Sequence, residues 1–321
     1  MTNGAPPSQR RIWIDGALVP WESATVHVLS HSHQRGSLVF DYMSVYETPQ
    51  GPAVFRLSDH VERFYASIEL VRLPFTWERH AVRAAILETV RANPGAKAVK
   101  VSAYLASVEV DVVPVQTHVT LAIAAYDPLE DVIRPAGGDR PAERKPLKIW
   151  LEKELRNRRK DILSPQAKVA ANYASPMAAK WAARELGFDE ILLVDAEGYL
   201  AEGPTTNVFL VDREGRLCTP PEEGVLLGVT RKAIIELAQA EGLNVLETAM
   251  RPEALFDASE AFLTGTSAGV WPIGSVDERP IGTELPGPVS RLLAERFTKI
   301  AAGSDPEFQH WLTPAGPPRD A

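Results

Sequence analysis

The chain has a single cysteine, Cys218. That excludes an intramolecular disulfide and any cysteine metal cluster held within one chain. Long apolar runs are missing too. No stretch approaches the ~20 residues needed to cross a bilayer. The start, Met1 to Arg11, is polar, carries Pro6 and Pro7, and lacks the apolar centre of a signal peptide. A basic surplus is also absent. Lys and Arg number 34 against 42 Asp and Glu, a formal charge of −8, which argues against a nucleic-acid binder. Neither an internal repeat nor a low-complexity segment is present. These absences leave a cytoplasmic soluble protein with no nucleic-acid or membrane partner as the simplest reading.

What is present fits two domains of ordinary size in 321 residues. Arg11 to Trp21 reads as two short strands around the Asp15-Gly16 turn. Leu38 to Glu47 and Ala53 to Leu57 read as strands. Ser58 reads as the N-cap of a helix whose apolar stripe is Val61, Phe64, Ile68 and Val71. A helix from Trp77 to Ala92 follows, stopped by Asn93-Pro94-Gly95, and then long strands at Ala98 to Val110 and His118 to Tyr126. Asp127 to Lys145, rich in Pro, Gly and charge, reads as a linker. The expected organisation is a small N-terminal domain over 1–126, a linker over 127–145 and a large domain over 146–321. In the large domain, Ser175 and Pro176 read as an N-cap and first helical position. Strands are expected at Leu147 to Leu151, Glu190 to Asp195, Asn207 to Asp212, Arg216 to Thr219 and Glu260 to Thr264. Helices are expected from Thr230 to Glu241 and Pro288 to Ala301. The Pro-rich tail after Gly303 reads as partly mobile. The class is α+β.

Lys168 and Glu202 are the most informative pair. Lys168 lies among small, mostly apolar neighbours, from Ala167 to Tyr173, the setting of a nucleophilic Schiff-base lysine. Glu202 closes a strand-turn-strand from Ile191 to Gly203. A carboxylate held at a strand end can pair with a protonated ring nitrogen. Gly228 stands where a helix begins, and free N–H groups there attract an anion. Gly265 to Gly269 follows a strand and offers hydroxyls and close backbone approach, without the lysine of a Walker loop. His27, His31 and His33 lack an accompanying acidic or cysteine ligand set, so no metal site is predicted. Arg63, taken alone, reads as a solvated helix residue.

Five segments in order carry a resemblance: Phe55 to Arg63, Lys168 to Tyr173, Gly198 to Phe209, Leu227 to Arg231 and Thr264 to Pro272. Over roughly residues 11 to 300 the chain resembles the class IV aminotransferases, the pyridoxal 5'-phosphate enzymes of fold type IV. The resemblance implies a smaller N-terminal α/β sandwich, a larger C-terminal domain and a homodimer. It implies that Lys168 carries the cofactor as a Schiff base and shuttles the proton. Glu202 would hold the ring nitrogen and Tyr173 the ring hydroxyl. Arg63, Val229, Thr230 and Thr266 would hold the phosphate, which suits a fork donor, a helix N-terminus and a hydroxyl.

The implied reaction moves an amino group from a hydrophobic, branched-chain amino acid to a 2-oxo acid. The alternatives are an (R)-selective amine transaminase, a D-amino acid aminotransferase and, further off, an aminodeoxychorismate lyase. The family often places a carboxylate-binding Arg on a small-domain strand, and Lys100 to Ser107 has none. Arg35, or Arg156, Arg158 or Arg159, would then supply the charge, or else the pocket has no dedicated carboxylate trap, as in an amine transaminase. Phe40, Tyr42, Met43, Tyr104 and Trp271 would supply apolar walls, and Ser267 and Ala268 further substrate contacts.

Overall fold

The computed structural model describes residues 9–139, 145–155, 157 and 159–316. The chain divides into two compact units. The first comprises residues 9–139, Lys168–Ala171 and 300–316; the second comprises 145–167 and Asn172–Lys299.

In the first unit, β1 (Arg11–Ile14) and β2 (Ala17–Pro20) form a hairpin. Its turn residues, Asp15 and Gly16, both have positive φ, at 45° and 100°. That geometry matches the twist of the flanking strands, which is why Asp-Gly serves there. A short helix α1 (His31–Arg35) follows, capped by Ser30. The segment that carries His31 and His33 is a helical turn, in which Ser30 accepts from the His33 N–H. Next come β3 (Val39–Thr48), β4 (Gly51–Phe55), α2 (Leu57–Leu70), α3 (Arg79–Arg91), β5 (Ala98–Tyr104) and β6 (Thr120–Tyr126). The sheet order is Leu312–Pro314, β4, β3, β5, β6, β1, β2. The tail after Gly303 thus contributes an edge strand, with Leu312 opposite Phe55, rather than trailing away.

Two local expectations for this unit are corrected. Helix α2 begins at Leu57, not after Ser58. Arg56 takes the left-handed conformation at φ 47° and so redirects the chain two residues early. Its guanidinium is held by Asp59 and lies 4.5 Å from the Trp311 ring. Strand β5 ends at Tyr104 rather than running to Val110. Beyond it the backbone bonds to α1 instead: His31 N–H donates to Ser107 O and Ser32 N–H to Leu105 O.

The second unit holds β7 (Leu147–Glu152), α4 (Ala174–Glu185), β8 (Glu190–Leu193), β9 (Asn207–Val211), β10 (Leu217–Thr219), α5 (Val229–Ala240), β11 (Val245–Glu247), α6 (Ala254–Asp257), β12 (Glu260–Gly265), β13 (Gly269–Val276), β14 (Arg279–Pro280) and α7 (Pro288–Ala301). Its sheet runs β11-β10-β9-β12-β13-β7-β8, with β14 on β13. Strand β9 is buried throughout, and Phe209 stacks on Phe262 of β12 with ring centroids 5.4 Å apart. Such a continuous apolar run needs cover on both faces. Helix α4 starts at Ala174 and not at Pro176, because the 3-10 turn Ala170–Tyr173 runs straight into it. Proline is tolerated there since first-turn N–H groups have no helical partner.

Candidate active site

The first unit carries one cluster of chemical groups. Strand alternation puts Val39, Asp41 and Met43 on one face of β3, each fully buried. Asp41 meets α2. Arg63 Nε donates to Asp41 Oδ2 at 2.9 Å and Arg63 Nη2 to Oδ1 at 2.7 Å. His60 Nδ1 lies 2.7 Å from the same Oδ1. Burial alone would raise the Asp41 carboxyl; Arg63 and then His60 more than offset it and hold it well below the usual carboxylate range. Burial pushes His60 below its ordinary value against the pull of Asp41, and the charges of Arg63 and Lys168 act in the same direction as burial.

Lys168 is docked on the same strand. Its carbonyl accepts from the Phe40 N–H at 3.0 Å, Ala170 N–H donates to Leu38 O at 2.8 Å, and Ala171 N–H donates to Gly36 O at 3.2 Å. Gly36 is required there. Its φ is +67°, and a Cβ would stand 3.2 Å from the Ala171 Cβ. Ser67 Oγ accepts from the Lys168 N–H at 3.0 Å and itself donates to Arg63 O. The Lys168 side chain is buried, and Nζ lies 5.0 Å from the centroid of the Phe40 ring. A lysine whose main chain is tied at several points presents its amine in a fixed place, which a nucleophile needs.

The second unit carries the other cluster. Glu202 is 2% exposed and sits at an isolated bridge to Asn207, where the ladder gives way to a tight turn. Its Oε2 accepts from the Leu226 N–H at 3.1 Å and from Asn207 Nδ2 at 3.5 Å. Asn207 Nδ2 also donates to Leu226 O at 3.0 Å, so the amide braces the carboxylate and the Leu226 backbone together. Gly228 then caps α5, with no side chain occupying the first-turn N–H groups. A Cβ at Gly228 would fall 2.0 Å from Asn207 Oδ1. Val229 and Thr230 are buried in that first turn. Thr266, Ser267 and Ala268 form the β12–β13 turn, closed by Ala268 N–H to Gly265 O. Tyr173 is half-buried and caps α4, and Asn172 holds the preceding loop by donating to Ser164 O and Ala167 O.

Other expected residues lie elsewhere. Arg35 is exposed and donates to Val110 O at 2.9 Å, pinning the loop after β5. Arg159 pairs with Asp161, and Arg156 and Arg158 lie outside the described residues. Met43 is core, because it shares the face of Asp41 and not that of Phe40 and Tyr42. Trp271 packs on the core of the second unit and donates its indole N–H to Lys145 O. Tyr104, by contrast, stays on the β5 face that Ser102 shares with Phe40; it is buried, and burial pushes its hydroxyl up. His31 is held by Ser37 and Val112 O. Sequence reasoning missed Asp41, His60 and Ser67. An aspartate in phase with the buried residues of an apolar strand was the one available signal for the first of these.

With this geometry in view, the comparisons are specific. The model of the amino-transferase class IV family matches residues 38–276. The branched-chain-amino-acid aminotransferase of Pseudomonas aeruginosa is 32% identical over 94% of this chain and 96% of its own length. The T.th. branched-chain amino acid aminotransferase complexed with N-(5'-phosphopyridoxyl)-L-glutamate superposes with a TM-score of 0.86 at 34% identity, covering 96% of this chain and 99% of that one. The same enzyme complexed with 4-methylvaleric acid gives 0.86 at 33% identity, over 97% and 100%. The chain belongs to the class IV aminotransferases and is an enzyme of that kind.

Proposed function

We propose that this enzyme transfers the amino group of a branched-chain amino acid to a 2-oxo acid with pyridoxal 5'-phosphate as cofactor. The observation that carries the reading is the fixed, buried Lys168 amine in a chain so similar to enzymes solved with a phosphopyridoxyl adduct and with a branched aliphatic acid. The residues fit the cofactor chemically. Arg63 is a fork donor, the α5 N-terminus has no side-chain cap, and Glu202 is a buried carboxylate suited to a protonated ring nitrogen. When bound, pyridoxal phosphate supplies an electrophilic carbon and a ring that takes up an electron pair.

Lys168 Nζ would hold the cofactor at that carbon and, once displaced there by the donor amine, would act as the base for the proton on the donor Cα. Glu202 would keep the ring nitrogen protonated, and Asn207 and the Leu226 N–H keep the Glu202 carboxylate in place. Tyr173 would orient the ring hydroxyl. Arg63, Val229, Thr230 and Thr266 would hold the phosphate, and Asp41 would fix the Arg63 fork through its two bonds. Phe40, Tyr42 and Tyr104 contribute apolar surface to the substrate, with Ser267 and Ala268 on its polar end.

We also read the chain as a cytoplasmic homodimer. Among the described residues no helix is long and apolar enough to cross a membrane. The loop after β5 exposes Val110, Val113 and Val115 at 91%, 76% and 87%, apolar surface that a second copy would cover.

Borohydride reduction of the holoenzyme followed by peptide mapping should tag Lys168, and Lys168→Ala should lose both the visible absorption band and transamination. A tag on another lysine would overturn the assignment. Steady-state rates with L-leucine, D-alanine and (R)-1-phenylethylamine as donors should favour L-leucine. Preference for either of the others would reject the branched-chain reading.

A further inference from the structure

The tail strand Leu312–Pro314 meets the chain where α2 begins. Arg56 N–H donates to Trp311 O at 2.6 Å, and the Arg56 guanidinium lies over the Trp311 ring. Leu312 stands opposite Phe55, and the Phe55 and Trp311 rings meet edge to face with centroids 5.9 Å apart. Trp311 is buried and also packs on Phe308. Further on, Ala315 N–H donates to Pro52 O, and Arg91 Nη1, at the end of α3, donates to Ala315 O. The tail is thus fastened on both sides of the Arg56 contact.

Arg56 is the strained residue of this junction. Its φ of 47° and ψ of 43° are left-handed, where a Cβ crowds the following carbonyl oxygen. Such a residue persists only where its surroundings fix it, and residues of this kind gather at ligand clamps. The local sequence favours another start. Ser58 is a good N-cap, yet it lies inside the helix and its hydroxyl accepts from Arg83 instead. Contacts with the tail overrule that cap and start α2 at Leu57. The bond from His60 N–H to Arg56 O, at 3.1 Å, follows from this start. Helix α2 then presents His60 and Arg63, one turn apart, to Asp41, and Ser67, a turn later, to the Lys168 N–H. Unwinding the first turn frees the His60 backbone and loosens the carboxylate that Arg63 grips. Resting on the transaminase reading above, we propose that Trp311 and Arg56 are positioning residues: the tail strand holds the first turn of α2 and so aims the Arg63 fork at the cofactor phosphate. Both act through Arg63. An aim held by fewer molecules lowers the apparent affinity in proportion.

The test titrates the cofactor-free full chain with pyridoxal phosphate and follows the phosphorus NMR resonance of the bound phosphate. Trp311→Leu should raise the cofactor Kd by about tenfold, within the range that one left-handed residue costs, and should shift that resonance. Trp311→Phe keeps a ring under Arg56 and should restore most of both. Arg56→Gly removes the strain, because glycine takes positive φ freely. In that background Trp311→Leu should change Kd by no more than about twofold, the scatter expected of uncoupled sites. Equal losses with arginine and with glycine at position 56 would overturn the proposal. So would a lower urea midpoint with Kd and resonance unchanged, which would leave the tail a stabilising element only. Hydrogen exchange over Leu57–Phe64 in the cofactor-free chain should be faster in Trp311→Leu than in the wild type; equal exchange would also overturn it. If the wild type binds no pyridoxal phosphate, the transaminase reading fails, and the exchange measurement alone decides whether the tail holds α2.

Discussion

Replacing Asp41 with asparagine would expose how the Arg63 fork is held. Asp41 is 0% exposed, the Arg63 side chain 10% and the His60 side chain 1%, so solvent does little to screen the group. Two Arg63 nitrogens and one His60 nitrogen converge on the one carboxylate. Removing the charge leaves a guanidinium buried without its counter-ion, which costs about 3–5 kcal/mol. Asparagine keeps one acceptor oxygen, so a loss of about 3 kcal/mol is expected at pH 7. The loss should depend on pH with a fixed sign. Asp41 titrates lower in the folded chain than in the unfolded chain. The unfolded chain therefore takes up the proton first, and the stabilisation is complete above the unfolded value of about 3.9 and lost as pH falls below it. Urea denaturation of both proteins at pH 7 and near pH 3.5 reads this directly. The gap should be wide at pH 7 and narrower in acid, and the cofactor should dissociate more readily from the variant at pH 7. A variant that unfolds within about 0.5 kcal/mol of the wild type at pH 7 would refute the account, since that is the ordinary effect of a surface change.

Two further outcomes concern the second unit. Glu202→Gln removes a buried charge suited to a protonated ring nitrogen, and should slow the single-turnover half-reaction about ten- to a hundredfold; an unchanged rate would reject the role. Gly228→Ala drives a methyl group onto Asn207 Oδ1, 2.0 Å away, with no backbone strain because φ is −63°. The displaced amide loses its bonds to Leu226 and Glu202, so stability should fall by about 1–3 kcal/mol, and urea midpoints equal to wild type would show that Asn207 relaxes freely.

What could be read in the sequence was local. The Asp15-Gly16 hairpin, the start of α5 after Gly228 and the span of α7 over Pro288–Ala301 are fixed by turn chemistry and helical periodicity, which need no tertiary information. The tail strand Leu312–Pro314 was not legible, since its pairing with β4 joins residues far apart in the chain and its short run with proline resembles a loop. Ends of elements were misread where long-range bonds decide them: β5 stops at Tyr104 because α1 takes up the backbone groups that follow.

The site divides along the same line. Lys168 and Glu202 could be named as candidates because motif residues keep their order in the chain. Their supports could not, because each support is a packing relation. Asp41 lies 22 residues before Arg63, and Ser67 lies 101 residues before Lys168. Spacing of that kind carries no periodic signal. The error over Met43 has the same root in reverse. Phe40, Tyr42 and Met43 look alike as apolar wall residues, but the two-residue period of β3 sends Met43 to the core with Asp41. Applied to β5, that period keeps Lys100 with the rings. Lysine presents a point charge on a flexible stem, and only the neighbouring strand shows where that charge stands. One residue of slip in the β3–β5 register would exchange Asp41 for Phe40 and Lys100 for Val101, and would strip Arg63 and His60 of their buried carboxylate.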